Sequence, residues 1–199
     1  MFRKDHLAII LVNIIAIIFF TILFLVNKNY EFIIYIFVIL FFFSLVIWSH
    51  KKIHYPTHIL VGLTNWAILH MAGGGLTYKG TRLYEVMLLP LSATYQILKF
   101  DQFVHIVGFF VATLVVYHLL SPLLRPNNQK WVSLSIVVVM GGLGLGALNE
   151  IIEFSATLIL SNTGVGGYLN TSLDLVADLL GAILALVFIR MRMGNVLSS

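Results

Sequence analysis

Acidic residues are few enough in this chain to be read one at a time: Asp5, Glu31, Glu85, Asp101, Glu150, Glu153, Asp174 and Asp178. Five of these eight stand within or at the ends of apolar segments, where ionisable groups are costly and usually mark a site or an ion path. They fall at helical spacing. Asp101 and His105 are four apart, Glu150 and Glu153 three apart, and Asp174 and Asp178 four apart, so each pair shares one helix face. Five carboxylates gathered at one place cannot all stay charged without company, because like charges oppose one another's ionisation. The company could be a metal, protons, a cationic ligand, or Arg82, Lys79 and Lys99 folding back from a loop.

The elements that must carry these residues are membrane spans. The chain has 199 residues, 60% hydrophobic and 10% charged, against roughly 45–50% and 25% in soluble domains. That much apolar surface does not fit in one soluble core of this length. A span needs about 20 mostly apolar residues, and six segments qualify: about 7–26, 30–48, 55–74, 101–120, 131–160 and 171–189. The predicted fold is therefore an all-α, polytopic membrane bundle of about six transmembrane helices in a single domain, 1–199. The stretch 86–98 is apolar but short and holds Pro90, which predicts a re-entrant or interfacial segment and not a seventh span. The first segment leads into Asn27-Lys28-Asn29 without a small-residue cleavage pattern, so it reads as a retained span.

Basic residues set the orientation. Arg3, Lys4, Lys51, Lys52, Arg125, Lys130, Arg190 and Arg192 lie on one set of connections, and Lys28, Lys79, Arg82 and Lys99 on the alternate set, eight against four. Both termini are thus expected in the cytoplasm. Asp101, His105, Glu150, Glu153, Asp174, Asp178 and His70 then all fall at the outer end of the bundle. For single pairs there are plainer readings: Asp174 or Asp101 capping a helix, or Glu150 and Glu153 lining an outer rim. Three pairs converging on one side favour a polar site.

Other signals carry less. The net charge of +4 is scattered over short loops and makes no nucleic-acid patch. There is no cysteine, hence no disulfide, thiolate metal site or cysteine nucleophile. No nucleophile elbow or His-Glu-x-x-His motif occurs. His50, His54 and His58 recur every four residues, but Pro56 interrupts the run beside Lys51-Lys52, which suggests a solvated connector. The loop 161–167 lacks the spacing of a phosphate loop. Gly141-Gly142-Leu143-Gly144-Leu145-Gly146 in the over-long fifth span suggests a close-packing face rather than a kink. No internal repeat of the kind found in inverted-repeat transporters is visible.

Four ordered motifs carry a resemblance. His70-Met71-Ala72-Gly73-Gly74-Gly75-Leu76-Thr77-Tyr78 resembles the His-x-x-Gly-Gly-x-Tyr-Thr-Tyr stretch of the bacterial YjdF-type inner-membrane proteins. Phe100-Asp101-Gln102-Phe103-Val104-His105 looks like their Asp-x-x-x-His block. Asn149-Glu150-Ile151-Ile152-Glu153-Phe154 is similar to their Tyr-Glu-x-x-Glu-Trp block, and Asn170-Thr171-Ser172-Leu173-Asp174 to their Asp-Thr-x-x-Asp element. A looser similarity extends to VanZ-like membrane proteins. Asn170 stands where the family pattern has an acid, Leu76, Asn149 and Phe154 replace aromatics or bulkier ones, and Asp178 adds an acid outside the pattern. The resemblance implies a six-span protein of a bacterial or archaeal plasma membrane, and no particular reaction.

Together these readings give Asp101, His105, Glu150, Glu153 and Asp174 as the pool of metal ligands, with His70, Asp178 and Asn170 as further site residues. Oxygen-rich ligation with one imidazole suits Mn, Fe, Mg or Zn better than copper, and a carboxylate left off the metal could serve as a general base. No residue is assigned a catalytic role. The expected partners are the lipid bilayer and a small-molecule or lipid-linked ligand, with no nucleic acid. Two other functions fit the same acids: a small proton- or cation-coupled carrier, against which the scarcity of polar residues in the first two spans and the inner half of the fifth speaks, and a non-catalytic assembly or resistance factor.

Overall fold

The computed structural model describes residues 4–92, 94–124, 130–160 and 163–197. Arg3 and Arg125 of the orientation argument, and Ser161 and Asn162 of the loop before the last span, lie outside the described residues. Six α-helices form among the described residues: α1 Lys4–Val26, α2 Tyr30–Ile53, α3 Thr57–Gly75, α4 Phe100–Leu120, α5 Trp131–Ile159 and α6 Tyr168–Leu197. Five of them, all but α3, are long and apolar enough to cross a membrane. The protein is an all-α membrane bundle. α3 covers the expected third span, but with 19 residues it is the shortest of the six. Its Thr64, Asn65 and His70 and its terminal glycines set it apart in composition, and it packs between α1 and α4.

Large apolar side chains cover the outside. Leu11, Ile15, Phe19 and Ile22 of α1, Phe37 and Phe41 of α2, and Leu184 and Val187 of α6 are exposed. Exposure of that extent is the pattern of a surface solvated by lipid tails. The turns are built from residues suited to them. Lys28 adopts a left-handed backbone, and Asn29 caps α2 by accepting from Phe32 N while its Nδ2 donates to Gly74 O at 3.1 Å. α2 ends on His54, also left-handed, and Pro56 directly precedes α3, where its missing N–H costs nothing.

α5 runs unbroken for 29 residues, about 44 Å at 1.5 Å per residue, so the glycine run inside it is a packing face and not a kink. A Cβ on Gly142 would collide with Thr113, and one on Gly146 with Asp178. The closest approach is between α4 and α6. A Cβ on Gly181 would lie 2.4 Å from the Ile106 carbonyl oxygen and 2.9 Å from Phe110 N, so backbone meets backbone there.

Among the described residues of 86–98 there is no helix. Leu88 N donates to Leu98 O at 3.0 Å and Phe100 N to Val86 O at 2.9 Å, closing the segment at its base, while Leu88, Leu89, Leu91 and Tyr95 are exposed. That agrees with the expected absence of a seventh span. Before it, a two-stranded hairpin pairs Thr77–Tyr78 with Thr81–Arg82, its Lys79-Gly80 turn having positive φ at both positions, as a type I′ turn requires.

Two apolar clusters divide the interior. Tyr55, Ile59, Leu60, Val111, Leu114, Val138, Ala185 and Ile189 fill the end near the α2–α3 connection. Phe24, Phe32, Tyr35, Met71 and Ala156 belong to the other cluster, next to the acids. His50, expected in a solvated connector, is buried, with its ring edge-on to His6 at 4.8 Å. Its apolar ring face is usable in a helix hairpin despite the lysines beside it.

Candidate metal centre

Chain direction brings the acids together. α4 starts, α5 finishes and α6 starts at the same end of the bundle, so the first turns of α4, the last third of α5 and the early turns of α6 are neighbours. His105 stands at the middle of the convergence. Its Nδ1 lies 2.8 Å from Asp178 Oδ1 and 4.0 Å from Glu150 Oε1, and its Nε2 lies 3.9 Å from Asp101 Oδ1. Two groups of possible ligand atoms share it: Asp101, His105 and Asp174, and His105, Glu150 and Asp178, each with all its atoms within 4.8 Å of one another. Asp174 and Asp178 are fully buried, and His105 and Glu150 nearly so.

The short contact assigns the imidazole tautomer. With Asp178 ionised, Nδ1–H donates to it, and Nε2 is left with its lone pair on the side of Asp101. A carboxylate holding one ring nitrogen so that the other can ligate is the usual support of a metal-binding histidine. Further polar groups fix the acids. Asn170 Nδ2 donates to Asp174 Oδ2 in a very short contact and to Asp101 Oδ2 at 3.4 Å. Gln102 Nε2 donates to Asp174 Oδ1 at 3.4 Å while its Oε1 accepts from Lys99 N at 2.6 Å. Asp174 caps nothing, since α6 begins at Tyr168, nearly two turns earlier.

The expected residues separate into groups. Asp101, His105, Glu150, Asp174 and Asp178 meet around one imidazole, and Asn170 ties two of them. Glu153 belongs to neither ligand group. It turns toward a neighbouring pocket, where its Oε1 accepts from Asn149 Nδ2 at 2.9 Å. His70 likewise stands aside, with Nδ1 2.6 Å from the Tyr84 hydroxyl and its ring stacked on Trp66 at 5.7 Å. Tyr84 lies outside the spans, and burial, with Asp101 and Glu153 nearby, holds its phenol well above the usual tyrosine range. It therefore stays protonated and shares a hydrogen bond with His70 Nδ1.

The loop cations that could have neutralised the five acids are engaged elsewhere. Lys99 Nζ pairs with Glu85 Oε2 at 2.6 Å, Arg82 Nη1 lies 3.8 Å from Glu31 Oε2, and Lys79 sits over the Tyr78 ring. Among the described residues, the imidazole of His105 is the one basic group within ion-pair distance of Asp101, Glu150 and Asp178. Glu150 Oε1 and Asp178 Oδ2 are buried with no hydrogen-bond partner among the described residues. Buried anionic oxygens without donors are costly, and a cation would relieve that cost.

Gln102, Tyr84 and Glu31 are absent from the sequence-derived set. Gln102 carries a readable signal, the third helical position with its side chain turned back to the helix start. Tyr84 and Glu31 carry none, because their roles arise from closure across the bundle. Glu31 is buried and accepts from Gly164 N at 2.7 Å, fastening the loop before α6 over the site. Glu31→Ala is expected to cost about 1.5–3 kcal/mol for the lost charged hydrogen bond and to speed proteolysis within 163–167. Digestion of the folded variant at the wild-type rate would show that the contact does not hold the loop.

Fold and cluster define a class: a multi-pass helical membrane protein with a buried acid–imidazole centre at one end. The chain belongs to the family described as "Predicted membrane protein (DUF2238)", whose model matches residues 7–195. This is the YjdF-type family indicated by the four motifs. No curated protein and no solved structure matches the chain.

Proposed function

We propose that the protein binds one divalent cation through His105 Nε2, Asp101 and Asp174, at the outer end of a bundle whose termini face the cytoplasm of a bacterial or archaeal plasma membrane. The observation that carries the reading is the charge balance at His105: four converging carboxylates, Asp101, Glu150, Asp174 and Asp178, one imidazole, and the loop cations Lys99 and Arg82 committed to other acids. Spacing supports it. Ligand bonds of about 2.0–2.6 Å put two ligands of one ion roughly 3–4.5 Å apart, and His105 Nε2 and Asp101 Oδ1 are separated by 3.9 Å. Asp178 orients the ring. Glu150, off the ion, is placed to take a proton.

A divalent ion here would polarise a phosphoryl or carbonyl oxygen or activate a water, and an envelope or lipid-linked substrate is the class that such a site at a membrane face would serve. The donors favour Mn, Fe, Mg or Zn. The packing of α4, α5 and α6 counts against a carrier: Val138 and Ala185, both without exposed surface, pack with Ile189 and Tyr55 in the other half of the bundle, although a cavity there between α1, α2 and α3 includes His6, Asn13, His50 and Thr64 in its lining.

Detergent-purified, metal-stripped protein titrated with Mn2+ or Zn2+ tests the proposal. One equivalent is expected to bind and to raise Tm, by the stabilisation of about 2.7 kcal/mol that ligand at a hundred times Kd supplies. Retention of no ion and an unchanged Tm would leave the acids as an assembly feature. In that case neutral substitutions would alter stability alone.

A further inference from the structure

Beside the cation centre, on the side away from Asp178, lies a small pocket of about 30 Å³ whose lining includes Tyr35, Phe32, His70, Tyr84, Asp101 and Glu153. Its chemistry differs from that of the centre. Glu153 is in neither ligand group, and the walls are aromatic faces, with Phe32 edge-on to Tyr35 at 5.1 Å and tilted against Tyr84 at 5.8 Å. The Tyr35 hydroxyl points to a ligand. Tyr35 is only 5% exposed, and its hydroxyl has no hydrogen-bond partner among the described residues. A buried phenol normally finds one.

We propose that this pocket takes the primary ammonium group of an amine-bearing ligand, held between the Glu153 carboxylate and the Tyr35 hydroxyl. The carboxylate accepts one N–H, the hydroxyl oxygen accepts another, and the aromatic faces attract the remaining charge. Size selects the head group. The space suits one or two water-sized groups, enough for –NH3+ and too little for trimethylammonium. A bare metal ion would not use the aromatic walls. Arg82, on the pocket's lining, has a side chain 38% exposed, and this is the side on which the rest of an aminoalkyl ligand, free or on a lipid headgroup, would leave. The inference does not depend on a metal at His105, because Glu153 and Tyr35 are outside both ligand groups.

The full chain in detergent, stripped of metal, is melted against ethanolamine, tetramethylammonium and potassium, each at equal ionic strength. Ethanolamine is expected to raise Tm saturably and the other two not. Glu153→Gln is expected to shift the ethanolamine midpoint at least about tenfold and Tyr35→Phe several-fold, the scale of a lost charge-assisted hydrogen bond. Asp178→Asn, which weakens the cation centre, is expected to leave the ethanolamine midpoint in place, separating this inference from the metal reading. A parallel arm in nanodiscs compares lipids with ethanolamine and choline headgroups by native mass spectrometry. Selective retention of the ethanolamine lipid assigns a lipid ligand, and saturation by free ethanolamine without it assigns a soluble amine. Absence of any saturable shift, an equal shift with tetramethylammonium or potassium, or midpoints unchanged in folded Glu153→Gln and Tyr35→Phe would overturn the proposal.

Discussion

Replacing His105 with glutamine is expected to abolish retention of the divalent cation, raising its Kd by more than about a hundredfold, whereas Asp178→Asn raises it by about 10–100-fold. The two differ because they act at different distances from the ion. In the proposed site His105 would supply the nitrogen ligand itself, while Asp178 holds the ring from 2.8 Å on its other side. An amide at position 178 can still accept from Nδ1–H, but it no longer balances charge or enforces the tautomer. Isothermal titration of each metal-stripped variant with Mn2+ measures both. Glutamine at 105 keeps the volume and some hydrogen bonding, so a folded variant is expected. Equal affinity in wild type and folded His105→Gln would remove the imidazole from the site.

Gly181→Ala is expected to be among the most damaging single methyl additions in the chain. The new Cβ would stand 2.4 Å from a backbone oxygen of α4, and backbone cannot swing away as a side-chain tip can. The helices must separate. Overpacking of this kind costs about 1–3 kcal/mol, occasionally more, and α4 and α6 are the two helices that carry Asp101, His105, Asp174 and Asp178. The same substitution should therefore weaken cation binding without touching a ligand. Gly144→Ala is the internal control, since a Cβ there meets nothing within 4 Å and alanine is the better helix former by about 1 kcal/mol. Thermal melts in one detergent compare them. Similar melting temperatures for the two variants would show that the α4–α6 approach is looser than the backbone contact implies.

Much of this architecture is legible in the sequence. Long apolar runs place the helices because lipid accepts few other structures, and spacing of four puts Asp101 with His105 and Asp174 with Asp178 on shared faces. What spacing cannot tell is which neighbour a face meets. Glu150 and Glu153 are three apart, about 60° around the helix, and that offset is enough to send one toward His105 and the other toward Tyr35 and Tyr84. Asp178 stands outside the family pattern that marked Asp174, yet it makes the closest contact with the imidazole. Asn170 supplies an amide where that pattern has an acid, and uses it to join Asp101 to Asp174. Glu31 and Gly164 are 133 positions apart, a closure no local signal encodes. The re-entrant or interfacial reading of 86–98 correctly excludes a span because Pro90 and short length are local features.

The most direct test of a cation held by His105 is electron paramagnetic resonance of Mn2+ added to the metal-stripped protein, with nitrogen couplings resolved by pulsed methods. One bound Mn2+ per chain, showing a coupling to a single imidazole nitrogen that disappears in His105→Gln, is the predicted result. A spectrum of free aqueous Mn2+ alone, or of bound Mn2+ with no nitrogen coupling, would contradict it.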